Sequence, residues 1–260
     1  VIRPVPPNAG VEAWYRRKLD DGVKEMHKSL MYWISAHYRA SGALAMDASP
    51  AINMRNAMKK LSARWQKNFD DIAQQLASRF GEQVMQNADV SLSNALEKAG
   101  FTVPFKMTAE LNNALQASIA ENVNLIRSIP EQHLTQVRTL VMQSVARGRD
   151  LSQLTDDLQE RYGITRRRAA FIALDQNNKA TAVMQAARQE SIGIDEGIWR
   201  HSHAGKHPRK SHVKANGKRF KLRKGMLIDG EYIFPGQKPR CRCGWEIVTP
   251  SSWRSAKTSK

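Results

Sequence analysis

Hydrophobic residues recur along most of this chain at spacings of three and four. Val11, Tyr15, Leu19, Val23, Met26, Leu30, Ile34 and Tyr38 form one stripe, which predicts a long amphipathic helix stopped at Gly42. Ser49-Pro50 pairs a capping residue with proline at the first helical position. It opens a second stripe through Ile52, Met58, Leu61, Trp65, Phe69, Ile72, Leu76 and Phe80. A break is expected near Gly81, with helix resuming from Glu82 to Ala99 and stopping at Gly100. Residues 101–107 read as an extended connector, and Thr108 caps a stretch carrying Leu111, Leu115, Ile119, Val123 and Ile126. Pro130 is expected to interrupt it. Further amphipathic sets follow at Leu134 to Val145, ended by Gly148, and at Leu151 to Tyr162, ended by Gly163. A last helix runs from Thr165 to about Ser191. Such stripes bury against one another, so their apolar residues, Trp65 included, are read as core.

The texture changes after Gly193. Seven glycines punctuate short runs between Gly197 and Gly244. Ile198-Trp199-Arg200 and Trp245 to Val248 read as strands. Asn216-Gly217 and Asp229-Gly230 are hairpin-turn signals, the second between Met226-Leu227-Ile228 and Tyr232-Ile233-Phe234. The expected fold class is α+β, mainly α: a helical N-terminal body followed by a small, loop-rich mixed module with short strands. The expected domains are an extended arm at 1–10, marked by Pro4, Pro6 and Pro7, a helical body at 11–163, a module at 164–250 and a mobile basic tail at 251–260.

Charge separates the same two regions. The 260 residues carry a formal charge of +17. From Trp199 to Lys260 there are 16 Lys and Arg against 3 Asp and Glu, whereas the rest is nearly balanced. The densest run is Lys206, Arg209, Lys210, Lys214, Lys218, Arg219, Lys221, Arg223 and Lys224. Positive charge at this density suits a phosphate backbone and gives affinity without sequence choice, so these nine are the candidate DNA contacts. An acidic protein surface is the competing partner. No apolar run approaches the length of about 18 residues that a membrane span needs, so no membrane role is expected. The N-terminal VIRPVPPNAG has no signal-peptide core. Cys241 and Cys243 are too close for an ordinary bridge. Synthesis in a reducing cytoplasm is therefore expected.

The same module gathers the metal-binding residue types. Cys241 and Cys243 with His212 and one of His201, His203 or His207 make a Cys2His2 set for zinc, with His203 taken as the fourth member. The Cys-x-Cys spacing is tighter than that of a standard zinc finger, and small buried cysteines beside surface histidines are the plainer alternative. Catalysis is not expected. No acid, base and orienting group can be assembled around Cys241, and acidic metal ligands are scarce around His201 to His212. A nuclease or toxin using that histidine cluster is one competing reading, and a zinc-stabilised protein-binding adaptor is another.

From Arg168 onward the chain resembles the head morphogenesis proteins of tailed phages, the Mu F-like or SPP1 gp7-like minor head proteins. The resemblance lies in an ordered set. Ile172-Ala173-Leu174-Asp175-Gln176, Asn177, Asn178, Lys179 and Arg188-Gln189-Glu190 sit on one helix. Gly193, Trp199, Arg209 and His212, Asn216-Gly217-Lys218, Phe220, Pro235-Gly236 and Cys241-Arg242-Cys243 follow. The resemblance implies a structural protein of the virus particle. It would lie inside the head near the portal after assembly in the host cytoplasm. Its implied partners are the portal protein, capsid or scaffold proteins and packaged double-stranded DNA, and its implied roles are head assembly and DNA delivery at genome ejection.

Overall fold

The computed structural model describes residues 2–40, 50–148, 150–203 and 207–255. The expected stop at Gly42 and cap at Ser49 lie outside them, as do Lys206 and the tail from 256. Helix α1 spans Ala9–Ala40, α2 Pro50–Lys98, α3 Ala109–Ala146 and α4 Leu151–Ser191. The C-terminal module holds β1 (Glu196–Arg200), α5 (Lys210–Ala215), β2 (Arg219–Lys221), β3 (Met226–Ile228), β4 (Glu231–Ile233), β5 (Gly244–Val248) and α6 (Ser251–Ser255). The fold is α+β and mainly α, as expected.

Three of the anticipated helix breaks are absent. Helix α2 runs through Gly81, α3 through Pro130 and α4 through Gly163. At Gly81 the missing side chain serves packing: a Cβ there would lie 3.0 Å from Leu115 and 3.1 Å from Ile119. Pro130 removes one backbone donor. In the turn before it the Ser128 hydroxyl donates to the Leu125 carbonyl at 2.7 Å. Gly163 costs about 1 kcal/mol against alanine, which a 41-residue helix with buried neighbours absorbs.

The chain divides into two compact units. One comprises Ala13–Ala77 and Glu121–Ala173. Its core is the α1 stripe from Tyr15 to Tyr38, packed with Met54, Met58, Leu61, Phe69, Val123, Ile126, Val137, Leu154 and Ile172. Ile52 and Ile72 are exposed, contrary to the stripe read from sequence, and Trp65 is half-buried. Ala73 and Ala77 take the seam instead. Gly22 lets the Phe69 ring come within 3.0 Å of its would-be Cβ. Small seam residues carry little hydrophobic signal, which hid the true phase of α2.

The other unit comprises Val1–Glu12, Ser78–Ala120 and Leu174–Lys260. Its sheet has the order β2-β1-β5, all antiparallel, with Trp199 opposite Trp245 and Gly197 opposite both Phe220 and Ile247. Alternate residues of β1 and β5 are buried, so one face carries Gly197, Trp199, Trp245 and Ile247. Leu92, Leu96, Ala182, Ala186, Ile194 and Phe220 complete this core. The pair β3 and β4 forms a two-residue hairpin at Asp229-Gly230, as anticipated. Asn216-Gly217 does not form one. It ends α5: Gly217 has φ +79, Lys218 N–H donates to the Ala215 carbonyl, and Gly217 N–H donates to the Trp199 carbonyl. A left-handed glycine serves a helix terminus as well as a hairpin, and the intervening helix decides which.

The proline-rich arm is extended and lies on its own unit. Ile2 exchanges both backbone bonds with Ile247. Part of the expected mobile tail is helix α6, whose Trp253 lies against Phe101 at 5.2 Å between ring centroids.

Candidate metal centre and basic segment

Two elements bring His212, Cys241 and Cys243 together. Helix α5 turns His212 inward, where it is buried edge-on against Trp199 at 5.2 Å. The cysteines come from the turn that leads into β5. That turn is held from several sides. Gly236 N–H points at Cys241 Sγ at 3.4 Å, and Cys241 N–H donates to the Lys238 carbonyl. Asp175 accepts the Arg240 amide at 2.9 Å, Asn178 Nδ2 donates to the Cys241 carbonyl, and Arg209 donates to the Pro239 carbonyl. The result places His212 Nδ1 3.4 Å from Cys241 Sγ and 3.8 Å from Cys243 Sγ. The three ligand atoms all lie within 4.8 Å of one another.

The thiols share their protons unequally. The Cys241 pKa is pulled down to about 5, chiefly by the hydrogen bond from Cys243, then by backbone N–H groups and the charge of His212. Cys243 is pushed up by Cys241 and by burial. The buried Trp199 indole N–H makes no hydrogen bond, yet lies near enough to Cys243 to favour its thiolate. Two soft sulfurs and an imidazole are a donor set for zinc. No carboxylate joins the group among the described residues.

His201 and His203 both stand outside this cluster; His203 is exposed and edge-on to His201 at 4.8 Å. His201 borders a cavity of about 490 Å³ that both cysteines also line, together with the arm prolines and Asn177 of α4.

The described members of the basic set are all exposed. Lys210 and Lys214 lie one turn apart on α5, and Lys218 follows its end. Arg219 and Lys221 share Glu196, at 3.4 and 2.9 Å. Arg223 and Lys224 border a cleft that also holds Glu110, Glu190 and Asp195. Surface pairs of this kind hold little energy.

Much of the polar run on α4 faces inward, and with it Gln185, which its position in the sequence had not singled out. Asn177, Asn178, Gln185, Arg188 and Gln189 are buried. Asn177 donates to the Asn8 carbonyl, Gln185 to the Val5 carbonyl, and Gln189 accepts the Trp245 indole N–H. The signal was present: polar side chains recur on the stripe that also carries Ala182 and Ala186.

Comparison with known proteins gives the context. Residues 135–246 match the family model described as phage Mu protein F like protein, a stretch that begins before the motif residues quoted above and contains the whole cluster. A Haemophilus influenzae protein described as uncharacterised is 28% identical over 249 residues, which cover 93% of this chain and 54% of that protein. The chain thus spans about half the length of this curated relative. No solved structure matches it.

Proposed function

The chain carries a Mu protein F-like region, and from that premise we propose that it is a minor head protein of a tailed phage, acting in head morphogenesis. In this reading the helical body, residues 11–163, docks onto the portal vertex or on capsid or scaffold proteins. The module at 164–250 presents its basic segment to packaged double-stranded DNA inside the head, and the protein takes part in genome delivery. The observation that carries the reading is the match over residues 135–246. The exposed cations between Arg209 and Lys224 support the DNA contact. The cluster of His212, Cys241 and Cys243 holds zinc and ties helix α5, at the start of that basic segment, to the approach to β5.

Sedimentation with the portal protein and with purified particles tests the structural role. The chain is expected to travel with both, and its absence from particles would overturn the reading. Incubation with DNA, with and without divalent metal, tests the module. Intact, retarded DNA is expected, with log affinity falling against log salt at about −0.9 per phosphate neutralised. DNA cleavage that disappears in His212→Ala would favour a nuclease instead.

A further inference from the structure

The zinc reading leaves one coordination position to fill, and we infer that His201, rather than His203, supplies the fourth ligand. The inference rests on the metal reading but not on the virion or DNA roles.

Three vertices are already in place. With zinc–sulfur and zinc–nitrogen bonds of about 2.3 and 2.0 Å, a tetrahedral site separates nitrogen from sulfur by roughly 3.5 Å. The distances from His212 Nδ1 to the two sulfurs are 3.4 and 3.8 Å.

The sheet register selects the fourth. Strands β1 and β5 pair antiparallel, with Trp199 opposite Trp245 and Arg200 opposite Gly244. The ladder ends at that pair, and its register continued by one step sets His201 opposite Cys243. Residues two apart on a strand share a face. His201 therefore shares the face of Trp199, and Cys243 that of Trp245. This is the face against which His212 packs through Trp199. Directly opposed residues on one face lie about 5 Å apart, a distance that a histidine side chain spans by rotation. His201 also lines the cavity that Cys241 and Cys243 line.

His203 is turned away. Its φ of +52 bends the chain out of the register, and its side chain is exposed. Its backbone N–H donates to His201 Nδ1 at 3.1 Å. The lone pair that now accepts this amide is the one a metal would take, so ligation replaces one exposed hydrogen bond and needs no change of tautomer. The completed site would be Cys2His2, with ligands from the end of β1, from α5 and from the approach to β5. It would clamp the segment 213–240, which carries six of the nine basic candidates, at its two ends.

The test uses the full chain in wild-type, His201→Ala, His203→Ala and Cys241→Ser forms. Each is assayed for bound zinc and titrated with cobalt(II), whose visible spectrum reports tetrahedral geometry and sulfur ligation. The wild type is expected to hold one zinc per chain and to give a tetrahedral, thiolate-ligated cobalt spectrum. His201→Ala should weaken zinc by about tenfold or more and lose the tetrahedral band intensity, with its circular dichroism unchanged. His203→Ala should match the wild type. Metal lost in Cys241→Ser but kept at full affinity in His201→Ala would overturn the role of His201 alone. A wild type with neither zinc nor a cobalt spectrum would overturn the metal reading with it. Salt-dependent DNA binding, measured separately, is untouched by either result.

Discussion

Arg188 grips Asp89 with two parallel bonds, Nε to Oδ1 and Nη2 to Oδ2, both 2.6 Å. Its remaining nitrogen donates to the Lys106 carbonyl, and its guanidinium lies over the Phe105 ring at 4.9 Å. One buried side chain of α4 thus ties α2 to the connector between α2 and α3. Only a planar fork reaches all three partners.

Arg188→Met strands the Asp89 carboxylate beside an apolar wall. The expected loss is about 3 kcal/mol of unfolding free energy, measured by urea titration. Arg188→Lys should lose roughly half as much, since it keeps the charge but not the fork. The pair Arg188→Met with Asp89→Leu should recover much of the loss, because the stranded charge is the larger penalty. A double variant as unstable as the single one would show that the bonds, not the stranded charge, set the cost.

His133 makes the other unit sensitive to acid. Thr165 gives its hydroxyl proton to the Arg161 carbonyl, so it accepts from His133 Nδ1 at 2.8 Å. That leaves Nε2 buried without a partner. Burial, then the charges of His27 and Arg161, lower the His133 pKa from 6.5 to about 4. The neutral ring is therefore favoured in the folded state. Its stabilisation is complete above pH 6.5 and is lost as pH falls toward 4, a change of about 3 kcal/mol. His27 is shifted the same way by burial and adds to the slope. Urea midpoints between pH 7.5 and about 4 should fall steeply in the wild type and less in His133→Gln, which keeps a donor for Thr165. Parallel curves would remove His133 from the explanation.

Much of this was legible in the sequence, for reasons that differ by residue. The α1 stripe from Tyr15 to Tyr38 was readable because large apolar side chains at helical spacing have one way to be buried. The joins between stretches were not. Gly81, Pro130 and Gly163 are local signals for stopping, whereas the helices continue because distant residues, such as Leu115 and Ile119 at Gly81, pack there. At the metal cluster the residue types and three of the four proposed positions were visible. The choice among nearby histidines was not, because it depends on the β1–β5 register, which spacing along the chain does not encode. The buried polar side chains of α4 were conspicuous as letters. Their partners, Asn8, Val5, Cys241 and Trp245, lie 56 or more residues away.

Gly225 supports the turn between β2 and β3. Its φ is +80, and a Cβ there would fall 2.8 Å from the Ile233 carbonyl oxygen and 3.0 Å from its carbon. Backbone of a paired strand cannot withdraw as a side chain can. Gly225→Ala should cost about 3 kcal/mol, from the left-handed conformation and the clash together. Gly217 has nearly the same φ, +79, with nothing near its would-be Cβ. Gly217→Ala should therefore show the conformational cost alone, about 1 kcal/mol. Equal losses in thermal or urea unfolding would mean that the Ile233 contact relaxes freely.

The proline-rich arm acts as a short extra strand. Ile2 N–H donates to the Ile247 carbonyl at 3.1 Å, Ile247 N–H donates back at 2.9 Å, and the Ile2 side chain is buried in the core beneath the sheet. Further along, Gln185 and Asn177 hold the Val5 and Asn8 carbonyls. Deleting residues 1–7 removes a buried isoleucine, about 2 kcal/mol, and two or three backbone-directed bonds of about 1 kcal/mol each. It also bares the outer edge of β5, which invites pairing between chains. The expected outcome is a loss of about 4 kcal/mol in urea unfolding together with concentration-dependent association in gel filtration. Ile2→Ala, which keeps the backbone pairing, should lose about 2 kcal/mol and remain monodisperse relative to the intact chain. If the truncated chain unfolds like the intact one and does not associate, the pairing at Ile247 contributes no stability, and β5 is protected by something other than the arm.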